Sequence, residues 1–290
     1  MKIAVFSDIH GNLPALRTLL QHTQQEQVDG IYCLGDIFTP YPGSREIWDL
    51  LKTFHVQCVL GNNEAALLAY HDKTQNYTSD EIRFRPFLLN AREVYPFLPE
   101  LQQIPANRTL AITDDLNIHL CHYSPGEVFR GLHSSFNFNI DEYVQSLAEP
   151  IILTGHLHRF EAKDLHGKIV YCVGSAGLPL KGSHQLEYII GEAINGELHV
   201  TYHLLHYEVQ EAVDYLMQYD FINEYGPIAW LAFDEILTQR DRLVTFFRDF
   251  LPTQNTSNKD WYLLAEQFLR SINRWNEIKK YLTGYHLVHR

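Results

Sequence analysis

Short apolar runs alternate with amphipathic stretches through the first two thirds of the chain. Residues 2–6 (KIAVF) are apolar and too few for a helix, so they predict a buried strand. Residues 13–20 (LPALRTLL) have helical spacing and follow Asn12, a helix-capping residue type, with Pro14 near the first helical position. Residues 30–34 (GIYCL) predict a second strand, 44–54 a second amphipathic helix capped by Ser44, and 56–60 (VQCVL) a third strand. Strands alternating with helices at this spacing predict βαβ crossovers and a largely parallel central sheet.

The pattern then changes. Residues 64–99 read as a helical excursion that contains Pro86, Pro96 and Pro99. Segments 108–112 and 117–121 flank Thr113-Asp114-Asp115 as the two arms of a hairpin, and 151–154 (IILT) is another buried strand. Residues 160–173 predict a hairpin turning at His166-Gly167, and 187–194 with 197–205 predict one around Asn195-Gly196, the pair that suits a two-residue hairpin turn. Two packed sheets with helices outside is the economical arrangement. Past Tyr207 the periodicity becomes helical over 209–219, 228–250 and 261–281, with breaks at Gly226-Pro227 and 252–258. The chain therefore divides into a domain over residues 1–207 and a helical extension over 208–290. The extension's aromatic residues, among them Trp230, Phe233, Phe246, Phe247 and Trp261, suit a helix core better than a ligand box.

Composition narrows the function. Of 290 residues, 46% are hydrophobic and 20% charged, as in ordinary globular proteins and unlike disordered chains. The formal net charge is −12 and no Lys/Arg cluster stands out, so duplex nucleic acid is not the expected partner. No apolar run approaches the ~20 residues of a membrane span, and residues 1–6 are too short for the core of a signal peptide. Cys33, Cys58, Cys121 and Cys172 make no CxxC and sit in apolar runs, which predicts reduced core thiols and a cytoplasmic location. The unusual feature is 16 histidines.

The chemistry-bearing residues follow the strands. The first ends in Ser7-Asp8-Ile9-His10-Gly11-Asn12, the second in Gly35-Asp36, the third in Gly61-Asn62-Asn63-Glu64. The strand over 117–121 ends in His122, and that over 151–154 in Gly155-His156-Leu157-His158. In open α/β sheets, ligands bind outside the carboxyl ends of the strands, so these residues converge although they are far apart in sequence. Carboxylate, amide oxygen and imidazole, without thiolate, suit Mn, Fe, Zn or Ni. Two carboxylates and four imidazoles exceed the need of one ion. They suit two ions ~3.5–4 Å apart with a carboxylate between them. The i, i+2 spacing of His156 and His158 would put both rings on one face of an extended segment.

In this order the motifs SDIHGN, LGDIFTPYPGS, GNNE, HYSP, GHLH and VGSAGLPL resemble the calcineurin-like metallophosphoesterase superfamily, and within it the small single-domain bacterial phosphoesterases. The resemblance covers about residues 1–205. It implies a four-layered α/β/β/α sandwich of two mixed sheets, followed here by the C-terminal helical extension. It also implies one divalent ion held by Asp8, His10 and His158, a second held by Asn62, His122 and His156, and Asp36 bridging the two. Manganese is the first expectation, with iron, zinc or nickel as alternatives. Two departures stand out. Gly35-Asp36 runs into Ile37-Phe38-Thr39-Pro40 where the Ser/Thr phosphatases have Asp-Arg-Gly, which weakens a protein-phosphatase reading. Asn63 stands where most members carry a histidine near the leaving group, and an amide cannot act as a general acid.

The expected activity is hydrolysis of phosphate esters, phosphodiesters ahead of monoesters, on a small substrate. Two cations would polarise phosphoryl oxygens and acidify a shared water so that hydroxide attacks in line, with Asp36, Asn63 and His122 closest to the chemistry. The competing class is a non-catalytic scaffold that keeps the fold and presents its helices to a partner, although a scaffold needs none of the ligand positions. A phosphomonoesterase or Ser/Thr protein phosphatase is the narrower alternative. Asn12 serves either as a helix cap or as a substrate contact, Gly174 to Gly177 reads as a structural turn, and His133 is a further histidine that could reach substrate. The extension is expected to mediate solubility, specificity or a homo-oligomer, and to be dispensable for metal binding.

Overall fold

The computed structural model describes residues 1–72, 81–122, 140–254 and 260–282. In the first sheet, β1 (Lys2–Phe6) lies parallel to β2 (Gly30–Cys33), and β2 parallel to β3 (Gln57–Cys58). The crossovers are α1 (Leu13–Gln25) and α2 (Ser44–Thr53). On its other side β1 pairs antiparallel with β9 (Gln185–Ile194), which carries β10 (Glu197–His206), giving the order β10-β9-β1-β2-β3. The second sheet has the order β4-β5-β6-β8-β7, from β4 (Asn107–Ala111), β5 (Asn117–Cys121), β6 (Ile151–Thr154), β7 (Phe160–Leu165) and β8 (Lys168–Val173). Its three middle strands run parallel between two antiparallel edges. Both sheets are thus mixed, as the hairpins required.

The layers follow from the two-residue strand period. Ile3 and Val5 of β1 meet Ile118, Leu120, Ile151 and Leu153 in an apolar layer between the sheets. Ala4 and Phe6 face the other way, against α1 and α2. Beyond the second sheet, Ile152 and Val170 pack on Val144 of α6 (Ile140–Ser146). Because β1 is covered on both faces, its sequence is continuously apolar rather than alternating. The result is a four-layered α/β/β/α sandwich.

The helical excursion after β3 is α3 (Asn62–His71), α4 (Glu81–Val94) and α5 (Leu98–Leu101). Glu93 of α4 changes the start of α2. Its carboxylate accepts the N–H groups of Gly43 and Ser44, both at 2.9 Å, so the cap position falls to Gly43 at φ 88° and Ser44 is the first helical residue, not the cap. A long-range carboxylate satisfies the orphan donors that a local hydroxyl was expected to take.

The C-terminal helices are α7 (Val209–Gln218), α8 (Phe221–Glu224), α9 (Pro227–Thr238), α10 (Leu243–Thr245), α11 (Trp261–Ser271) and α12 (Trp275–Ile278). The periodicity over 228–250 is not one helix. Gln239 turns left-handed at φ 48°, ends α9 and sends the chain into a bridge between Lys181 and Arg240. Asn273 at φ 58° likewise splits 261–281. Apolar spacing survives such a break when both pieces bury the same face. α9 is buried from Pro227 to Ile236. Its Trp230 packs on Trp275 with ring centroids 5.4 Å apart. Asp234 is buried between the Arg242 and Arg274 guanidinium groups, each at 2.6 Å. These side chains share one apolar cluster with α1, α2 and the outer face of the first sheet, so packing is continuous across residue 207.

Candidate metal centre

The strand ends turn abruptly, and the turns are unusual. Asp8, His10, Asp36, His156 and His158 all have φ between 50° and 74°, a left-handed region that costs roughly 1–2 kcal/mol per non-glycine residue. Strain of this kind persists where surrounding contacts over-determine it. Here the Asp8 N–H donates to Gly35 O at 3.0 Å and the His10 N–H to Asp36 O at 2.9 Å, while Asp8 Oδ2 accepts the His156 N–H at 2.9 Å. His156 and His158 are therefore not on an extended segment. Each sits in its own left-handed turn, and that directs the two rings to different places. Two glycines are required by close approach. A Cβ on Gly61 would collide with the Asp36 amide and carboxylate, and one on Gly155 with Ser7 Oγ and Asp8 Oδ2.

Seven sequence-distant side chains meet in two adjoining groups. In the first, Asp8, His10 and His158 bring one ligand atom each within 4.8 Å of the others. His10 Nδ1 faces the Thr39 carbonyl at 2.9 Å and His158 Nδ1 the Leu178 carbonyl at 2.5 Å. A carbonyl only accepts, so both rings spend their Nδ1 proton there and turn Nε2 inward. The two Nε2 atoms are 3.0 Å apart, and 3.7 and 3.3 Å from Asp8 Oδ1, a buried oxygen with no hydrogen-bond partner. In the second group, Asp36, His122 and His156 converge in the same way. His122 Nδ1 donates to the Leu34 carbonyl at 2.6 Å, and Asn62 Oδ1 lies 3.0 Å from His122 Nε2 and 3.1 Å from His156 Nδ1. Asp36 Oδ2 is 3.5 Å from His122 Nε2 and 3.9 Å from His10 Nε2, so a single oxygen faces both groups. Converging lone pairs around an orphaned carboxylate oxygen fit divalent cations, and the all N/O donor set suits Mn, Fe, Zn or Ni.

Residues 1–196 match the calcineurin-like phosphoesterase superfamily domain. The chain belongs to that superfamily. Among solved structures, it resembles a metallophosphoesterase from Sphaerobacter thermophilus with 21% identity and a TM-score of 0.56, over 76% of this chain and 94% of that one. It also resembles the hypothetical protein PH1004 from Pyrococcus horikoshii OT3 with 17% identity and a TM-score of 0.59, over 75% and 93% of the two chains. Both likenesses concern the fold. An uncharacterized protein of Methanocaldococcus jannaschii, MJ0912, is 36% identical over 66 residues, which is 23% of this chain and about a quarter of that protein's length (27%). Among the described residues, no helix is long and apolar enough to cross a membrane.

The calcineurin-like core also sets the electrostatics. Burial alone would depress the His122 imidazole, but the Asp36 carboxylate beside it lifts it to about 10. His158 is likewise lifted against burial, to about 9, by Asp8. His156 goes the other way: burial and the charge of His122 outweigh the lift from Asp36 and Asp8 and hold it down at about 4. Burial would raise Asp8 and Asp36, but the imidazoles around them outweigh it and keep both carboxyls below their ordinary range. A metal-free centre is thus a trap for positive charge.

One residue of this phosphoesterase core carried no role in the sequence beyond its place in GNNE. Glu64 is fully buried, and its carboxylate accepts the N–H groups of Asp36, Ile37, Phe38 and Gly61 at 2.9–3.2 Å. It ties the Asp36 turn to the start of α3. The available signal was a carboxylate at the third residue of a helix that follows a glycine. Asn63 donates its backbone N–H to Asp36 Oδ1 at 2.9 Å, and its side-chain nitrogen lies 3.3 Å from His10 Nδ1. Asn12 is the cap of α1, accepting the Ala15 N–H at 3.2 Å, and its amide also donates to Gly177 O at 2.8 Å. The stretch from Gly174 to Gly177 is a structural turn. The Ser175 hydroxyl and Gly177 N–H donate to Asp8 O, and the Ala176 N–H to Ser7 O, which leaves no open anion cradle there. The four cysteines are buried and form no disulfide among the described residues. His133 lies outside the described residues.

Proposed function

We propose that the chain is a binuclear metal-dependent phosphoesterase, with phosphodiesters as its preferred substrates. The observation that carries this reading is the convergence of His10 Nε2, His158 Nε2 and the unpartnered Asp8 Oδ1, beside an Asp36 oxygen that faces both groups. Asp8, His10 and His158 would hold one divalent ion, Asn62, His122 and His156 the second, with Asp36 between them and manganese the first expectation. Bound there, such ions supply Lewis acidity to phosphoryl oxygens and lower the pKa of a coordinated water from 15.7 to about 7 in the zinc case.

The chain's own residues do the rest. The carbonyls of Thr39, Leu34 and Leu178 fix the tautomers of His10, His122 and His158, and Glu64 holds the Asp36 turn in place. Two cations also reconcile a chain of net charge −12 with an anionic substrate, because bound ions dominate the local field. The preference for diesters rests on Asn63, which donates a hydrogen bond but no proton to a departing oxygen. The test is metal analysis of protein purified without chelator, joined to hydrolysis of matched aryl phosphodiester and monoester substrates. Two ions per chain with faster diester turnover is the expected result. Metal-loaded protein that hydrolyses neither substrate would leave only the scaffold reading.

A further inference from the structure

The loop from Gly174 to Gly182 connects the second sheet to the first, and it supplies the Leu178 carbonyl that orients His158. One end of this loop is pinned to the turn that carries Asp8 after β1, through Gly177 N–H to Asp8 O at 3.0 Å. Its other end is held by the C-terminal helices. The Gly182 N–H donates to the backbone oxygen of Gln239 at 2.6 Å, and Lys181 bridges to Arg240. Buried polar contacts lie at both ends. Gln239 Nε2 donates to the Tyr207 hydroxyl at 2.9 Å, and Asn12 Nδ2 donates to Gly177 O at 2.8 Å. Gln239 is fully buried and Tyr207 is 5% exposed.

Gln239 is an unfavourable residue where it stands. It is left-handed, and its buried Oε1 has no hydrogen-bond partner, which costs roughly 1–3 kcal/mol. Its Nε2 contact is what the side chain achieves in return. Tyr207 and Gln239 also lie outside residues 1–196, the part that matches the superfamily domain.

We propose that Tyr207 is a positioning residue through which the C-terminal extension, by way of Gln239, sets the affinity of the metal position formed by Asp8, His10 and His158. The inference rests on the binuclear reading above, but not on any hydrolytic activity. It runs counter to the expectation that the extension is dispensable for metal binding, because the loop that orients His158 takes part of its support from the end of α9. Removing the Tyr207 hydroxyl leaves the buried Gln239 amide donor short of an acceptor. Gln239 then loses the contact that holds its left-handed turn, and its backbone oxygen loses its fixed place against Gly182, at the far end of the loop that carries the Leu178 carbonyl. A histidine ligand whose second nitrogen loses its partner typically binds metal 10–100-fold more weakly. Tyr207 acts one contact further out, so the low end applies.

The experiment compares the full chain with Tyr207→Phe, with Gln239→Asn, which tolerates the left-handed turn but is one methylene too short, and with Leu264→Val in α11 as a control for general destabilisation. Titration of the metal-free proteins with Mn2+ alone should resolve two binding steps. Tyr207→Phe and Gln239→Asn should weaken one step about 10-fold and leave the other unchanged, while Leu264→Val changes neither. Amide hydrogen exchange on metal-free protein should be faster over residues 177–182 in the first two variants only. Unchanged Mn2+ binding and unchanged exchange in Tyr207→Phe would overturn the proposal, as would equal weakening of both steps in all three variants. An unaltered protein that binds two ions but hydrolyses no ester would overturn the phosphoesterase reading and leave this one standing.

Discussion

Replacing Glu64 by glutamine removes one charge and reverses one end of a side chain that nothing can rehydrate. Four backbone donors point at this carboxylate, two at each oxygen: Ile37 and Phe38 at Oε1, Asp36 and Gly61 at Oε2. A glutamine keeps one oxygen and presents an N–H2 group to the other two donors, whichever way it is turned. Two charge-assisted bonds are lost at roughly 1.5–3 kcal/mol each, so Glu64→Gln should cost about 3–6 kcal/mol. The assay is urea unfolding of metal-free protein at pH 8. At that pH the carboxyl is ionised, since burial and the charge of Asp36 raise it only to about 7. Metal binding should weaken in the same variant, because the Asp36 turn is one of the two structures that Glu64 joins. A loss below about 1 kcal/mol, with both ions still bound at their original affinity, would show that the four contacts do not carry the Asp36 turn.

Other perturbations have equally definite signs. If Asn63 removes the general acid, turnover of aryl phosphodiesters should depend steeply on leaving-group pKa, and Asn63→His should flatten that slope and speed poor leaving groups by up to ~10²–10⁴-fold; equal slopes would contradict it. Glu235 is buried and raised from 4.5 to about 7, chiefly by desolvation. A carboxyl raised on folding stabilises fully below its unfolded pKa and loses that contribution as pH rises through the folded value. Thermal stability relative to Glu235→Gln should therefore fall between about pH 4.5 and 7, and parallel curves would refute the assignment. Gly155→Ala should lower metal affinity more than stability, because the added methyl meets Ser7 Oγ and Asp8 Oδ2; calorimetric titration beside a melting curve separates the two.

The strands were legible because their signals are local. β1 and β6 coincide with the apolar runs over 2–6 and 151–154, and Asn195-Gly196 adopts φ values of 52° and 86°, as its hairpin demands. The topological rule that ligands gather at strand ends pointed to the right segments, and the family resemblance named within them the seven side chains that the fold brings together. What was not legible depends on partners far away in sequence. Ser44 lost its capping role to Glu93, forty-nine residues on. The helix expected over 228–250 breaks at Gln239 because that residue is committed to Tyr207 and Gly182, and no periodicity in its own segment records those contacts. Glu64 looked like an ordinary first-turn carboxylate, and three of its four donors, Asp36, Ile37 and Phe38, come from a different turn. The conformation of His156-Leu157-His158 was misjudged for a related reason. Side-chain period argues for extended backbone, whereas contact with Asp8 and Leu178 selects left-handed turns.

The central claim is that Asp36 joins two ions into one centre, and metal stoichiometry of Asp36→Asn tests it most directly. Both proteins would be stripped, reloaded with Mn2+, passed through a desalting column and analysed for metal per chain, with diester hydrolysis measured on the same samples. A neutral amide cannot offset two cations as a carboxylate does, so the unaltered chain should retain two ions and Asp36→Asn fewer, with hydrolysis nearly abolished. An Asp36→Asn protein that keeps both ions and most of its activity would contradict the binuclear account.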